Sequence, residues 1–340
     1  MDVDHLHRSL GLAEEHRSWL SGLAALADTN HSVGGGLVLP PPEQAATALA
    51  PFALQPEDER ELCALWPDES WPPEFHWLLQ WMYQRIIADL GTGQWRGWPT
   101  LTEVDDARVR CMSVFAFAAA VPALREWHAR HGVPPAVTAA TLADVGRHVA
   151  KNRAMFGRCG LEVATWIALH FRGGLFELGR LQYEPAQLGP QAAVTWYTPQ
   201  QQAHLPRDLH TGQPVLRLHI PETGPLDEQH VTDSLRQARG FFATHFATDY
   251  PVATCTSWLL DPQLAAYLPA ESNILAFQRR FTLVPHGTDG NADVFRFVFR
   301  RHRVDPDTVE PRSTLERTII DHLRNGGHWQ VRTGWLRLPE

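Results

Sequence analysis

The chain has 340 residues, 44% hydrophobic and 20% charged, the profile of a globular protein with length enough for two domains. Asp and Glu total 38 against 30 Lys and Arg, a formal net charge of −8, which argues against a general nucleic-acid binder. Only one of the basic residues is a lysine, Lys151, and Ala150 precedes it, so a Walker A loop is excluded and lysine-based covalent chemistry has one candidate.

Residues 1–30 predict one or two helices, from Leu10, Leu12, Trp19, Leu20 and Leu23 at helical spacing. Ser32 to Gly36 and Pro40-Pro41-Pro42 predict a loop or linker. A helix resumes near Pro56, where Glu57, Asp58 and Glu59 suit a helix N-terminus. A long helix is expected over Glu74–Leu90, and another over Asp105–Ala119, stopping near Pro122. A further helix follows Pro134-Pro135, with Thr141 as its N-cap. The first 150 residues thus read as a helical module.

After Gly157-Arg158-Cys159-Gly160 the pattern becomes mixed. Leu161–Phe171 is helical, Leu175–Tyr183 a strand, and Pro214–Ile220 an alternating strand. Leu226–Phe246 reads as a helix capped by Asp227 or Thr223, and Val252–Leu260 as an apolar strand. Short helical pieces are expected at Gln263–Leu268 and Ser272–Gln278. Phe281–Val284 and Val294–Phe299 predict a hairpin around His286–Asn291. A helix over Thr314–Arg324 and a strand over Val331–Leu338 end the chain. The expected fold class is α+β, with a helical domain over residues 1–155 and a mixed-sheet domain flanked by helices over residues 156–340.

Common catalytic and metal motifs are missing. His128-x-x-His131 has no further ligand at metal spacing and reads as surface or capping histidines, so no metal is expected. Gly34-Gly35-Gly36, Gly157-x-x-Gly160 and Gly173-Gly174 do not follow a strand and open a helix as a dinucleotide loop must. No Gly-x-Ser-x-Gly elbow occurs, and Cys255 reads as a core residue of an apolar strand. Cys63, Cys111, Cys159 and Cys255 form no Cys-x-x-Cys pair. No stretch approaches 18 apolar residues, and the start of the chain lacks a basic segment followed by an apolar run. The expectation is a cytoplasmic protein with reduced thiols and no membrane partner.

The strand–turn–helix from Val215 to Phe246 is the most informative segment. A helix N-terminus after a strand presents backbone N–H groups suited to a pyrophosphate, with Arg236 and Arg239 on the following turns to meet further phosphate charge.

Beyond this, residues 160–335 resemble the C-terminal domain of a bacterial family in the GNAT-type N-acyltransferase superfamily. The likeness is carried by His170-Phe171-Arg172-Gly173, Leu178-Gly179-Arg180-Leu181-Gln182, His219-Ile220-Pro221, Gly224-Pro225-Leu226, Ser257 to Leu264, Ser272-Asn273-Ile274 with Phe277-Gln278, and Gly327-His328-Trp329. The helical first half resembles the N-terminal domain that accompanies it.

The resemblance implies an acyl group, in the first instance acetyl, passed from acetyl-CoA or another acyl-CoA to the amine of a small molecule or peptide. It implies a cleft for acyl-CoA between Val215–Ile220 and Val252–Leu260, and a pyrophosphate loop at Glu222-Thr223-Gly224-Pro225-Leu226. That loop keeps one of the superfamily's two small residues, and Pro225 removes an N–H donor. Asn273 matches an asparagine that precedes the superfamily's fourth helix, while Phe277 and Gln278 stand where its acid tyrosine is expected. The base then falls to Glu222 or His219 and the acid to Ser257 or Tyr267, with Arg172, Arg180 and Asp261 as candidates for binding the acceptor. The eroded loop also fits an alternative, a catalytically inactive GNAT-fold module that binds a ligand or protein.

Overall fold

The carboxylate of Asp2 accepts hydrogen bonds from the backbone N–H groups of Asp4 and His5 and so starts the first helix, α1 (Val3–Ser9). The structure, a computed structural model, describes residues 2–28, 36–93 and 97–339. The loop expected at Ser32 to Gly35, and with it Gly34 and Gly35, lies outside them. The chain divides into two units, Met1–Phe176 and Glu177–Glu340. This division lies further along the chain than the change of periodicity near residue 155.

The first unit is helical: α2 (Arg17–Asp28), α3 (Ala45–Leu49), α4 (Pro56–Ala64), α5 (Pro73–Asp89), α6 (Ala107–Arg110), α7 (Met112–Arg130), α8 (Pro135–Phe156) and α9 (Ala164–Phe171) follow α1. α9 belongs here because Ala164, Ile167, Ala168 and Phe171 join the core of this unit, where the Phe171 ring stacks on Phe117 at 4.8 Å. Two expectations are corrected. α7 does not stop at Pro122 but runs through it to Arg130. A proline inside a helix costs about 3 kcal/mol. Burial of Phe115, Phe117, Val121 and Leu124 on that helix, each worth about 1.5–3 kcal/mol, outweighs it. Thr141 is not an N-cap: α8 begins six residues earlier at Pro135, and Thr141 is buried within it. Pro135 fits the first position because the missing N–H would have no partner there.

Gly146 lets α8 sit directly on the turn at Ala50–Phe52. A Cβ at this position would collide with the Phe52 carbonyl oxygen and lie 2.7 Å from that of Ala53. Two residues before Gly146, Asp144 is a buried hub. It accepts from His170 Nε2 at 2.9 Å and from Trp166 Nε1 at 3.2 Å, and it pairs with Arg147. Burial alone would push this carboxyl up. The hydrogen bond from His170 and the charges of His148, His170 and Arg147 outweigh that and hold it well below the usual carboxylate range. His128 is also buried, with Nδ1 2.8 Å from Thr138 Oγ1, so it is not the surface histidine that its spacing to His131 suggested.

The second unit is built on one six-stranded sheet in the order β1-β2-β3-β4-β6-β5. The strands are β1 (Phe176–Leu178), β2 (Leu181–Gln187), β3 (Pro214–His219), β4 (Val252–Ser257), β5 (Thr282–Asp289) and β6 (Gln330–Arg337). The single strand expected over Leu175–Tyr183 is thus two, separated by a turn at Gly179-Arg180. β2 and β3 are antiparallel, β3 and β4 parallel, and β6 is antiparallel to both β4 and β5. The helices are α10 (Pro199–Gln202), α11 (Glu228–Phe246), α12 (Asn273–Gln278), α13 (Asn291–Phe299) and α14 (Thr314–Arg324). Ser234 of α11 donates to the Leu178 carbonyl and meets the Tyr183 hydroxyl at 3.0 Å, fastening that helix to the sheet.

The hairpin expected over Phe281–Phe299 is also corrected. Its first arm is β5, but Val294–Phe299 lies in α13. Val294 and Val298, like Phe295 and Phe299, are four apart, which sets them on one helical face against the core of Val284, Ile319 and Trp329. The apolar strand expected over Val252–Leu260 ends at Ser257, and Trp258–Leu260 forms a 3₁₀ turn.

Candidate active site

Polar residues alternate along β2 and β3 and fall on one face of the sheet. The register pairs Gln182 with His219 and Glu184 with Arg217. Glu184 is buried and receives both basic side chains: His219 Nε2 lies 2.9 Å from its Oε2, and Arg217 Nη1 donates to its Oε1 at 3.3 Å. By the β3–β4 register, Thr254 lies level with Arg217, so Thr254 and Thr256 continue this polar face onto β4. Thr256 meets the Thr333 hydroxyl of β6 at 2.8 Å and donates to Gln191 at 3.2 Å.

The opposite face is apolar. Cys255 is fully buried there, and burial pushes its thiol up to about 12, which removes it as a nucleophile at neutral pH.

The decisive feature is where the ladder between the two parallel strands stops. β3 and β4 pair at Leu216–Ala253, Arg217–Thr254 and Leu218–Cys255 and no further. Past that point β3 stays paired with β2 out to His219, and β4 with β6 out to Ser257. The two strands therefore part company at their C-terminal ends, each held by its outer neighbour. Backbone groups facing this gap have no strand partner, which suits them to a ligand. His219, with Glu184 behind it, stands at the edge of the gap.

β3 runs into the loop Ile220–Leu226 and then into α11. Gly224 has φ of 120°, a conformation open to glycine and strained for other residues. Arg180, from the β1–β2 turn, braces the loop by donating to the carbonyls of Pro225 (2.9 Å), Pro221 (2.9 Å) and Gly224 (2.6 Å). Loop, turn and helix start enclose a cleft of about 540 Å³ lined by Arg180, Thr223, Pro225, Asp227, His230 and Ser234. The Asp227 carboxylate caps α11 through the N–H groups of Gln229 and His230, both at 3.1 Å.

The sequence-predicted residues separate into two groups. His219, Thr223, Gly224 and Leu226 lie at the strand opening and its loop. The others, Asn273 apart, have structural partners. Glu222 forms a two-pronged pair with Arg300, with one prong at 2.6 Å, so its carboxylate is a strut and not a poised base. Arg180 holds backbone carbonyls. Arg172 is buried in the first unit, where it pairs with Asp89 at 3.1 Å. Arg236 pairs with Asp233 at 3.4 Å, and Arg239 forks onto Asp249 at 2.6 and 2.8 Å.

Ser257 lies on β4 past the end of the ladder, but alternation sets it on the opposite face from His219. Its hydroxyl oxygen accepts from Leu259 N–H. Asp261 is fully buried, accepting from the N–H groups of Gln263 and Gln330. Tyr267 bonds His322 Nδ1 at 2.9 Å and packs on Trp329. Asn273 is exposed on the first turn of α12, whose cap is Ser272. Sequence reasoning missed Glu184 as the partner of His219. The signal was present as Gln182, Glu184, Arg217 and His219, polar at every second position of two strands. Among the described residues no group of three or more His, Cys, Asp or Glu is placed to hold a metal ion, and no helix is long and apolar enough to cross a membrane.

A parallel strand pair that opens at its C-terminal end, beside a loop leading into a helix, is the arrangement by which GNAT-type enzymes admit acyl-CoA. The fold thus defines the class as a GNAT-like acyltransferase. Residues 43–173 match the N-acyltransferase N-terminal domain, and residues 175–336 match the GNAT-like C-terminal domain. The chain is also similar to solved acyltransferase structures: one in complex with decanoyl-CoA at 36% identity, one with decanoyl-CoA and teicoplanin at 35%, and a mutant with octanoyl-CoA at 34%. Each likeness covers 100% of both chains with a TM-score of 0.85. No curated protein sequence matches. The chain belongs to the acyltransferase family that joins an N-acyltransferase N-terminal domain to a GNAT-like C-terminal domain.

Proposed function

We propose that the chain transfers a medium-length acyl group from acyl-CoA to an amine of a glycopeptide, with His219 as general base. The observation that carries the reading is the end of the β3–β4 ladder at Leu218–Cys255 with the His219–Glu184 pair beside it. The similar structures that hold octanoyl-CoA, decanoyl-CoA and teicoplanin support an acyl chain longer than acetyl and a glycopeptide acceptor.

The thioester enters the strand gap, where an unpartnered backbone N–H donates to the carbonyl oxygen as it gains negative charge. The acceptor nitrogen attacks the carbonyl carbon, the C–S bond breaks, and the amide forms. The nitrogen's proton passes to His219, directly or through water. Glu184 fixes the ring and stabilises the imidazolium. The departing thiolate takes a proton from solvent. Arg180, which shapes the loop, acts as a positioning residue.

The test is to incubate the protein with octanoyl-CoA, decanoyl-CoA or acetyl-CoA and a glycopeptide bearing a free amine. Free thiol release and the mass of the glycopeptide are then followed. A mass gain of one octanoyl or decanoyl group, lost with His219→Ala, is expected. Transfer of acetyl alone would refute the chain-length part. Binding of acyl-CoA with no transfer to any amine would favour the non-catalytic module.

A further inference from the structure

Acyl-CoA carries a diphosphate and a 3′-phosphate, and the loop before α11 meets them with little positive charge of its own. Asp227 fills the helix N-terminus with a carboxylate, Glu222 and Glu228 add two more, and Arg180 is committed to backbone carbonyls. Arg236 and Arg239 are held by Asp233 and Asp249. The cation that does reach the loop comes from far along the chain: Arg300, at the C-terminal end of α13, grips the Glu222 carboxylate with both terminal nitrogens.

Arg300 has φ of 56°, so the helix ends there in a left-handed turn. The chain continues as Arg301-His302-Arg303, all three exposed, which makes residues 300–303 the longest unbroken run of basic side chains in the sequence. Among the described residues, neither Arg301 nor Arg303 has an ion-pair partner, whereas Arg217, Arg236, Arg239, Arg280 and Arg300 of this unit do. Arg300, Arg301 and Arg312 also line a cleft of about 390 Å³.

We propose that Arg301 and Arg303, anchored to the pyrophosphate loop through the Glu222–Arg300 pair, bind the 3′-phosphate end of acyl-CoA. The proposal rests on the acyl-CoA reading above and adds the site that recognises the nucleotide. Guanidinium groups suit a phosphate because they donate paired N–H bonds to its oxygens. The Glu222–Arg300 pair neutralises the loop's own carboxylate, so the free arginines beside it are not consumed by that charge.

The test compares CoA with 3′-dephospho-CoA by titration calorimetry. The wild-type protein is expected to bind CoA about tenfold more tightly or better. In the double variant Arg301→Ala/Arg303→Ala, CoA affinity should fall about tenfold while 3′-dephospho-CoA affinity stays unchanged, so the preference disappears. Arg207→Ala, which removes a positive charge from the turn before β3, should leave both affinities unchanged, and thermal melts check that each variant is folded. Equal affinity of the wild type for the two nucleotides overturns the proposal. So does a double variant that keeps its preference for CoA, or one that loses both nucleotides equally. Wild-type protein that binds neither nucleotide refutes the acyl-CoA reading itself, a separate outcome.

Discussion

Glu184 and His219 meet diagonally across the β2–β3 pair, with carboxylate oxygen and imidazole Nε2 2.9 Å apart, and the histidine stands where β3 loses its contact with β4. A carboxylate behind an imidazole fixes the ring and stabilises its charged form, so the two residues are expected to fail in different ways when replaced.

Removing His219 deletes the base. His219→Ala should lower kcat by about 10²–10⁴-fold, the usual worth of a positioned general base. Glu184→Gln keeps the size of the side chain but not its charge, and a fall of about tenfold or more is expected. In both variants KM for acyl-CoA should change little, since neither residue belongs to the loop. Steady-state kinetics with thiol detection measures both constants.

Glu222 divides two views of the site. As a base, its loss would remove kcat. As the strut that fixes Arg300, its loss loosens the loop and the basic run beyond it. Glu222→Gln is expected to raise KM for acyl-CoA several-fold and to leave kcat within about threefold. A collapse of kcat at unchanged KM would restore Glu222 to the chemistry.

His128 sets a pH dependence of stability in the helical unit. Burial, with help from His170 and His131, lowers its imidazole to about 4, against about 6.5 in an unfolded chain. The folded state favours the neutral ring, so its contribution is complete above about pH 6.5. It drains away as the pH falls toward 4, because the unfolded chain takes up the proton first. The loss amounts to about 3 kcal/mol across that interval. Urea unfolding at pH 7, 5.5 and 4 should show it, and His128→Gln should flatten the slope. A wild-type slope no steeper than the variant's would exclude this origin.

Gly146→Ala pits two effects against each other. Alanine improves a helix interior by about 1 kcal/mol over glycine. Here the added methyl would strike the backbone carbonyls of Phe52 and Ala53, which cannot swing aside as a side chain would. Overpacking of this kind costs about 1–3 kcal/mol or more. A net loss of stability is expected, seen as a fall in melting temperature, whereas a rise would mean that the two segments separate easily.

Local pattern made much of the fold legible. Helical spacing located α5, α11 and α14, and alternation located β3, because each signal is contained within one element. The same signal failed where packing overrules local preference, as at Pro122, kept inside a helix by its buried neighbours, and at Val294–Phe299, whose β-branched and aromatic residues form a helix. For the site, sequence selected His219 and the loop after it but gave the base equally to Glu222.

The sequence by itself determined a helical half, a mixed α+β half, the family likeness and the dependence on arginine for any contact with phosphate, since its one lysine is Lys151. These are properties of composition, period and motif. Only the tertiary structure decided that β3 and β4 part after Leu218 and Cys255, that Glu184 backs His219 from 35 residues away, and that Glu222 is held by Arg300 from 78 residues away. Strand register and long-range ion pairs depend on which segments meet. That is settled by the packing of whole elements and leaves no period in the chain to read.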